Sequence, residues 1–404
     1  MKDKFLRDVM GALGEGNARL VGGCVRDTLS KRTIKDIDVA TPKLPENVIK
    51  LLNAKGIRTV PTGIKHGTVT AVSEKNTIEI TTLRKDIECD GRHAEVEFTD
   101  DWEQDAARRD FTINAMSMDL EGGVFDYFSG ADDLRRGIIR FVGDPDKRVQ
   151  EDYLRILRYF RFEALYGTHA IDKASLDACV KYQHNIDTLS GERIGAEMIK
   201  LLSADDPYFV LIKMRDTGVL KHVIPGVSDE IDLLPLKHLI IIEKEEGFIV
   251  PDKDVAIRLA LMIEGGIKQA ESLCERWRSS NLFKKMLIEL VDPLIDIPAS
   301  MNEKEQKRLM VQIGRGSFIR QLIYSWARDE DNHSAIRFKK MLAFCNTWKV
   351  PEFPLRGKDL LDIGFRENEQ LGIVLKKAHE VWQESDYKLT RAKLLTMVKK
   401  KIIN

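Results

Sequence analysis

Residues 21–40 read VGGCVRDTLSKRTIKDIDVA, and their order decides how the N-terminal third folds. The stretch ARLV just before the glycines reads as a strand, Gly22-Gly23 as a tight turn, and CVRDTLSK as the first turns of a helix. Glycine lets the backbone reach positive φ and approach a ligand closely. The helix N-terminus that follows offers free N–H groups to a phosphate, and Arg26 adds a bidentate cation. A glycine pair by itself fits any strand-turn-helix. KDIDVA, residues 35–40, narrows the choice. Side chains alternate along a strand, so Asp36 and Asp38 share one face, about 6.5–7 Å apart at the backbone, while Ile37 and Val39 face a core. Paired carboxylates repel unless a cation sits between them. Mg²⁺ takes oxygen ligands and binds nucleotide phosphates through one or two carboxylates. The pair Asp36 and Asp38 therefore predicts a metal site for phosphoryl transfer.

Around this stretch, residues 17–142 carry short β-branched runs: ARLV, DIDVA, IRTVPT, GTVTAV, TIEITTL, AEVEF and GGVFDYF. Gly, Asn and Asp turns separate them, which predicts a mixed sheet. A helix is predicted from Pro45 to about Lys55, ended by Gly56, and another from about Asp100 to Arg108. After Gly143 the apolar spacing becomes helical and stays so to the end. The predicted class is α+β: a sheet-bearing N-terminal head followed by an all-helical remainder.

Composition excludes several classes. The chain has 404 residues, 43% hydrophobic and 32% charged, which is more than one ordinary domain. No apolar run reaches the roughly 18 residues of a membrane span. The opening MKDKFLRDVMGALGEG mixes charge with apolar residues and reads as an amphipathic helix rather than a signal peptide. Five scattered cysteines without Cys-x-x-Cys predict reduced thiols and no cysteine zinc site. The eight histidines show no His-x-x-x-His pair. From Glu271 onward there are 25 Lys and Arg against 18 Asp and Glu, in a chain with 64 of each. A basic tail beside an acidic remainder fits nucleic-acid binding combined with carboxylate chemistry, and it fits a solvated helical surface too.

Two further constellations carry chemistry. In DAARRDFTINAM, residues 105–116, Arg109 is placed to reach a triphosphate or ribose, with Asp110 holding that arginine or supporting the metal site. A helix C-terminus complemented by arginines accounts for the same residues. EDYLRILRYFRF, residues 151–162, predicts one helix with Asp152, Arg155, Arg158 and Arg161 in a winding i, i+3 stripe. A surface helix laced with ion pairs is the plain alternative. A base lying on the stripe is the other. Aspartate accepts from an exocyclic amino group and arginine donates to ring acceptors. One Asp-Arg pair thus accepts C and A, and rejects G and U.

Taken in order, GGCVRD with KDIDVA, PTGIKHGTVT, ARRDFTINAM, DYFSGADDL, EDYLRILRYFRF and GERIGAEMIKLL resemble the class II tRNA nucleotidyltransferases, the CCA-adding enzymes and their poly(A) polymerase relatives. The motifs span residues 19 to about 202, and weaker similarity continues through 357–387. The resemblance implies a seahorse-like shape: a nucleotidyltransferase head (1–142), a base-reading helical neck (143–205), a helical body (206–270) and a tRNA-binding helical tail (271–404). It implies that Gly22, Gly23 and Arg26 hold the triphosphate with Arg109. Asp152 and Arg155 read the base, and Arg158 and Arg161 contact nucleotide or support that pair. Asp36 and Asp38 bind Mg²⁺ and activate the tRNA 3′-hydroxyl. The implied activity is untemplated addition or repair of the 3′-CCA end of tRNA from CTP and ATP by a cytoplasmic enzyme with no membrane partner. CC-only or A-only addition, poly(A) synthesis, a DxD glycosyltransferase and a non-catalytic RNA-binding protein are the rivals. The segment 83–98, LRKDIECDGRHAEVEF, occupies the position of a flexible loop that CC-only members largely lack, so full CCA addition is implied. Arg366-Glu367-Asn368-Glu369 stands where the family has a Pro-Gly-Pro turn. The stretch PTGIKHGTVT replaces the Gly-Arg-Arg-Phe-like element usual in poly(A) polymerases.

Overall fold

The computed structural model describes residues 3–34, 36–74, 76–90, 93–245, 254–329, 334–366 and 369–400. The chain forms two compact units. One runs to Ile231 and takes in Ser272–Ser279; the other runs from Asp232 to Glu271 and continues from Ser280. Glu367 and Asn368 of the tail turn lie outside the described residues.

The first unit opens with helix α1 (Lys4–Leu13), where Leu6, Val9, Met10 and Leu13 are buried at helical spacing and Asp3 accepts the Leu6 N–H at 3.1 Å. Strand β1 (Arg19–Val21) leads into helix α2 (Gly23–Leu29). Next come β2 (Asp38–Thr41), α3 (Pro45–Ala54), β3 (Arg58–Gly63), β4 (Thr68–Val72) and β5 (Thr77–Thr82). Pro45 starts α3 and Gly56, at φ +72°, follows its end, as the sequence predicts. Two more strands, β6 (Arg84–Asp90) and β7 (His93–Phe98), pair only with each other. The segment expected as a flexible loop is therefore a two-stranded ribbon. Helix α4 (Trp102–Ala107) is capped by Asp101, and the short strands β8 (Ser117–Met118) and β9 (Val124–Phe125) follow.

The main sheet has seven strands in the order β3-β4-β5-β2-β1-β8-β9. Only β2 and β5 run parallel; the other pairs are antiparallel. Strand alternation sorts its two faces. Leu20, Val39, Val69, Ile78 and Ile80 join α1, α3 and Val25 in one core. On the opposite face Val21 and Ala40 pack with Leu83 and Trp102 in a much smaller cluster, so this face is left for Asp38, one position before Val39. No strand follows Phe125 among the described residues.

Helices α5 (Gly130–Arg136), α6 (Pro145–Glu151), α7 (Leu154–Tyr166), α8 (Lys173–Lys181), α9 (Gly191–Leu202) and α10 (Tyr208–Asp216) complete most of this unit. Phe111 stacks on Phe141 at 4.8 Å and meets Phe162 of α7 edge-on at 5.2 Å, anchoring the residues after α4 against α7. The DYFSGADDL segment is structural: Asp126 accepts the N–H groups of Phe128, Gly130 and Ala131 at the start of α5. The second unit is all helix among the described residues. Its fully buried Arg258 is paired with Glu243, and its C-terminal part closes over Trp382.

Candidate active site

Asp38 opens β2 on the thinly covered face of the sheet. Asp36 lies two residues ahead of it, outside the assigned strand, which differs from the single-strand expectation. The ladder persists only as far as Ile37, whose carbonyl accepts the Glu79 N–H at 3.2 Å. The sequence reading did not single out Glu79. It stands directly beside Asp38 in the parallel β2/β5 pair. Burial first, then the negative charges of Glu79 and Asp36, push the Asp38 carboxyl above the usual carboxylate range, with Arg109 opposing. Two carboxylates offer the oxygen donors a hard divalent cation takes. No group of three or more His, Cys, Asp or Glu is arranged to hold a metal ion among the described residues. The remaining ligands of such an ion must then come from elsewhere, as when Mg²⁺ bridges one or two carboxylates to substrate phosphates.

Gly22 precedes α2 at φ +71° and ψ −127°, a conformation that L side chains rarely adopt. A Cβ there would lie 2.9 Å from Nη1 of Arg109, so the glycine allows that arginine to cross the turn. Gly22→Ala should lower unfolding free energy by about 1–3 kcal/mol. It should also displace Arg109; denaturant titration reads the first effect and nucleotide affinity the second.

Two acids organise the arginines after α4. Asp105 is buried and takes Arg108 at 2.8 Å and Arg109 at 3.2 Å. Burial raises its carboxyl, but the two guanidiniums outweigh that and hold it below the usual range. Asp110 holds Arg158 and not Arg109, contrary to one of the sequence expectations. Its Oδ2 accepts Nε of Arg158 at 2.7 Å, and its Oδ1 accepts the Phe111 N–H and Nδ2 of Asn114, both at 2.9 Å. Here too burial raises the carboxyl and Arg158, with those N–H donors, brings it below its ordinary value.

Asn114 is a second residue the sequence reading missed. Its Oδ1 accepts Nη1 of Arg26 at 2.7 Å while its amide donates to Asp110. It thereby links α2 to α7 through Arg26, Asn114, Asp110 and Arg158. The signal was its i+4 spacing from Asp110 across the tight turn Thr112–Asn114. Arg26 is itself largely buried, paired with Asp27 at 2.9 Å and lying 4.4 Å from the Tyr166 ring centre. Arg26 thus lies against the glycine turn, its Nη2 3.6 Å from where a Cβ on Gly23 would stand.

EDYLRILRYFRF is not one helix. Helix α6 ends at Glu151, and Asp152 is extended at φ −158° and ψ 107°. Its Oδ1 accepts the Leu154 N–H at 3.1 Å, starting α7 afresh. The stripe is broken for that reason, and the members face different partners. Oδ2 of Asp152 accepts Nη2 of Arg193 of α9 at 2.7 Å. Arg155 donates to the Arg148 carbonyl at 2.9 Å and pairs with Glu151. Arg161 is buried against Glu197 at 2.9 Å. Arg158 alone of the three arginines turns to the segment after α4.

Residues 18–140 match the family described as Poly A polymerase head domain, and residues 170–231 the one described as probable RNA and SrmB-binding site of polymerase A. The chain is 33% identical over 393 residues to the Danio rerio protein named CCA tRNA nucleotidyltransferase 1, mitochondrial, covering 94% of this chain and 86% of that one. It is 33% identical over 366 residues to a Streptococcus pyogenes CCA-adding enzyme, covering 89% and 87%. The fold matches that of the Bacillus stearothermophilus CCA-adding enzyme in complex with CTP, with a TM-score of 0.78 at 24% identity over 99% and 98% of the chains. It also matches the Thermotoga maritima CCA-adding enzyme complexed with tRNA_CCA, with a TM-score of 0.65 at 19% identity over 98% and 95%.

Proposed function

The chain belongs to the tRNA nucleotidyltransferase and poly(A) polymerase family, and we propose that within it this protein builds or repairs the 3′-terminal CCA of tRNA from CTP and ATP, without a nucleic-acid template. The observation that carries this reading is the placement of Asp38, level with Val21 in the β1/β2 pair and so next to the Gly22 turn that Arg109 crosses, in a chain aligned over 94% of its length with a CCA tRNA nucleotidyltransferase. In the reaction the tRNA 3′-hydroxyl oxygen forms a bond to the α-phosphorus of the incoming nucleotide as the bond to pyrophosphate breaks. Asp36 and Asp38 would hold Mg²⁺ and take part in activating that hydroxyl. Bound there, the ion supplies charge neutralisation at the transferring phosphoryl group. Gly22 and Gly23 let the triphosphate approach the backbone, and Arg26 and Arg109 meet its charge.

Asp152 and Arg155 read the base, with Arg158 and Arg161 as supports. Their present partners leave capacity for this. A carboxylate has about four lone-pair sites and an arginine five N–H donors. Asp152 can keep the Leu154 N–H and Arg193 and still accept an exocyclic amino group. We assign nucleotidyl transfer to residues 1–142, base reading to 143–205, a helical body to 206–270, and tRNA binding to 271–404 on its excess of Lys and Arg. No helix of the described residues is long and apolar enough to cross a membrane. The thiols of Cys24, Cys179 and Cys345 are buried and suit a reducing compartment; we place the enzyme in the cytoplasm, although vertebrate relatives are named mitochondrial.

Incubation with tRNA ending at its discriminator base, with each nucleotide singly and together, tests the reading at single-nucleotide resolution. Addition of C, C and A in that order is expected. A lone A, a halt at CC, an A-tract or no extension would each select a rival. The β6/β7 ribbon carries a further prediction. Deleting Glu88 to His93 should leave both cytidine additions working and stop synthesis at CC. Terminal A addition at the normal rate by the deletion variant would remove the ribbon from nucleotide selection.

A further inference from the structure

Arg19 opens β1 on the same sheet face as Val21, opposite to Leu20. Its guanidinium carbon lies 4.2 Å from the ring centre of Trp102 and 3.5 Å from that of Phe125. One amino group, Nη1, donates to the Tyr127 hydroxyl at 3.4 Å. Arg19 has no acidic partner among the described residues, and it is only partly buried. An arginine sandwiched between rings loses little freedom on gaining a ligand, and its unused in-plane donors match a phosphate. A clamp that served packing alone would not need a cation whose charge goes unanswered.

Register gives the clamp its meaning. Leu20 stands opposite Val39 and Arg19 opposite Ala40, so Val21 comes level with Asp38. Along β1 the order is therefore Arg19, then the level of Asp38, then Gly22 with Arg109 beside it. Arg19 stands about 7 Å, two strand residues, from the Asp38 level. In phosphoryl transfer the attacking and leaving oxygens are roughly in line. If the triphosphate lies over Gly22 and Arg109, the strand bringing the 3′-hydroxyl must approach from the other side of Asp38, where Arg19 is.

We propose that Arg19, clamped by Trp102 and Phe125, is a phosphate-binding residue for the backbone of the RNA acceptor strand, positioning its 3′-hydroxyl against the carboxylate pair. This rests on the tRNA nucleotidyltransferase reading above. The ligand group is a phosphodiester within the last few nucleotides of the acceptor, distinct from the nucleotide triphosphate.

The test compares wild-type protein with Arg19→Gln and Arg19→Lys on tRNA ending at the discriminator base. Each of its three 3′-terminal linkages is replaced in turn by an uncharged methylphosphonate. Arg19→Gln should raise KM for tRNA about tenfold, the loss of one charge-assisted contact, with KM for CTP unchanged. The slope of log affinity against log salt should fall by about 0.7, one single-strand phosphate. Arg19→Lys should recover much of the slope. One methylphosphonate should weaken wild-type binding as Arg19→Gln does, and should weaken the Arg19→Gln protein no further. Losses that multiply at all three linkages, or an unchanged salt slope with only a lower melting temperature, would make the clamp a strut of the sheet. Should Arg19→Gln fail to fold, a wild-type protein indifferent to all three methylphosphonates overturns the assignment equally. Wild-type protein that extends no tRNA sinks the functional reading instead, whatever Arg19 does.

Discussion

Asp38→Asn should abolish nucleotide incorporation, by about 10³-fold or more, while leaving the fold as stable as before or more so. The two halves of this expectation have one cause. The Asp38 carboxyl sits above its usual range because burial and the charges of Glu79 and Asp36 disfavour its ionised form. For an acid whose folded value is raised, the folded state binds the extra proton. Stability is then fullest below the unfolded value and declines as pH rises through the folded one. Ionising this carboxyl therefore weighs against the fold in the metal-free protein, and a neutral amide of the same shape removes that cost. The same substitution removes the charge that balances a divalent cation. Losing preorganised electrostatic stabilisation of a transferring phosphoryl group costs about 4 kcal/mol, which is the 10³-fold in rate. Asp36→Asn should be equally inactive, with tRNA binding nearly intact in both. Calorimetry adds a readout independent of turnover. Mg²⁺ should raise the melting temperature of wild-type protein by mass action and leave that of Asp38→Asn unmoved. Substantial turnover by both variants in Mg²⁺, or an undiminished Mg²⁺ shift, would remove the metal role from this pair.

How much of this was legible in the sequence depends on the range over which each feature is determined. The strand-turn-helix at Gly22, the strand that begins at Asp38 and the Pro45–Gly56 helix are local: period-two burial, a glycine turn and proline and glycine punctuation are written in adjacent residues. The break at Asp152 was not legible, because apolar spacing runs unbroken through EDYLRILRYFRF. Only the carboxylate turning back to the Leu154 N–H reveals the cap. The partners of the arginines were not legible either. Arg158 meets Asp110, 48 residues away, and Arg193 meets Asp152, 41 residues away. Nothing in periodicity chooses among the acids such a guanidinium could reach. Glu79 was hidden for a similar reason: its place beside Asp38 exists only through the one parallel pairing in the sheet. The pairing within 84–98 was only half legible: AEVEF reads as a strand, but its partner RKDIECD carries one β-branched residue among charged ones, and the two pair apart from the main sheet.

Asp152→Ala should change which nucleotides are used, and the contacts of Asp152 say how to tell that from damage to the neck. The carboxylate serves three masters in the proposed reaction: the Leu154 N–H, Arg193 and the exocyclic amino group of C or A. Alanine removes the acceptor for all three donors. Loss of the contact to Leu154 weakens the start of α7, an N-cap effect of about 1 kcal/mol. Loss of the base contact should lower kcat/KM for CTP and ATP and raise the relative use of UTP or GTP. Each mismatched hydrogen-bond partner should shift discrimination by about 1–3 kcal/mol, or one to two orders of magnitude in rate ratio. Asp152→Asn separates these roles. Its amide oxygen can still cap Leu154, while its NH₂ takes the place of the oxygen that Arg193 now meets and stands toward the base as a donor. A donor there suits the carbonyl acceptor of U or G and clashes with the amino group of C or A. The Asn variant should therefore keep the cap on α7, losing less melting temperature than Asp152→Ala, and yet lose preference for C and A. Arg193→Ala should leave Asp152 without its orienting partner, lowering kcat/KM for both natural nucleotides with little gain for UTP or GTP. Measuring kcat/KM for all four nucleotides on the three variants, beside thermal unfolding, distinguishes the alternatives. An Asp152→Asn enzyme that still prefers C and A would return this carboxylate to the single task of capping α7.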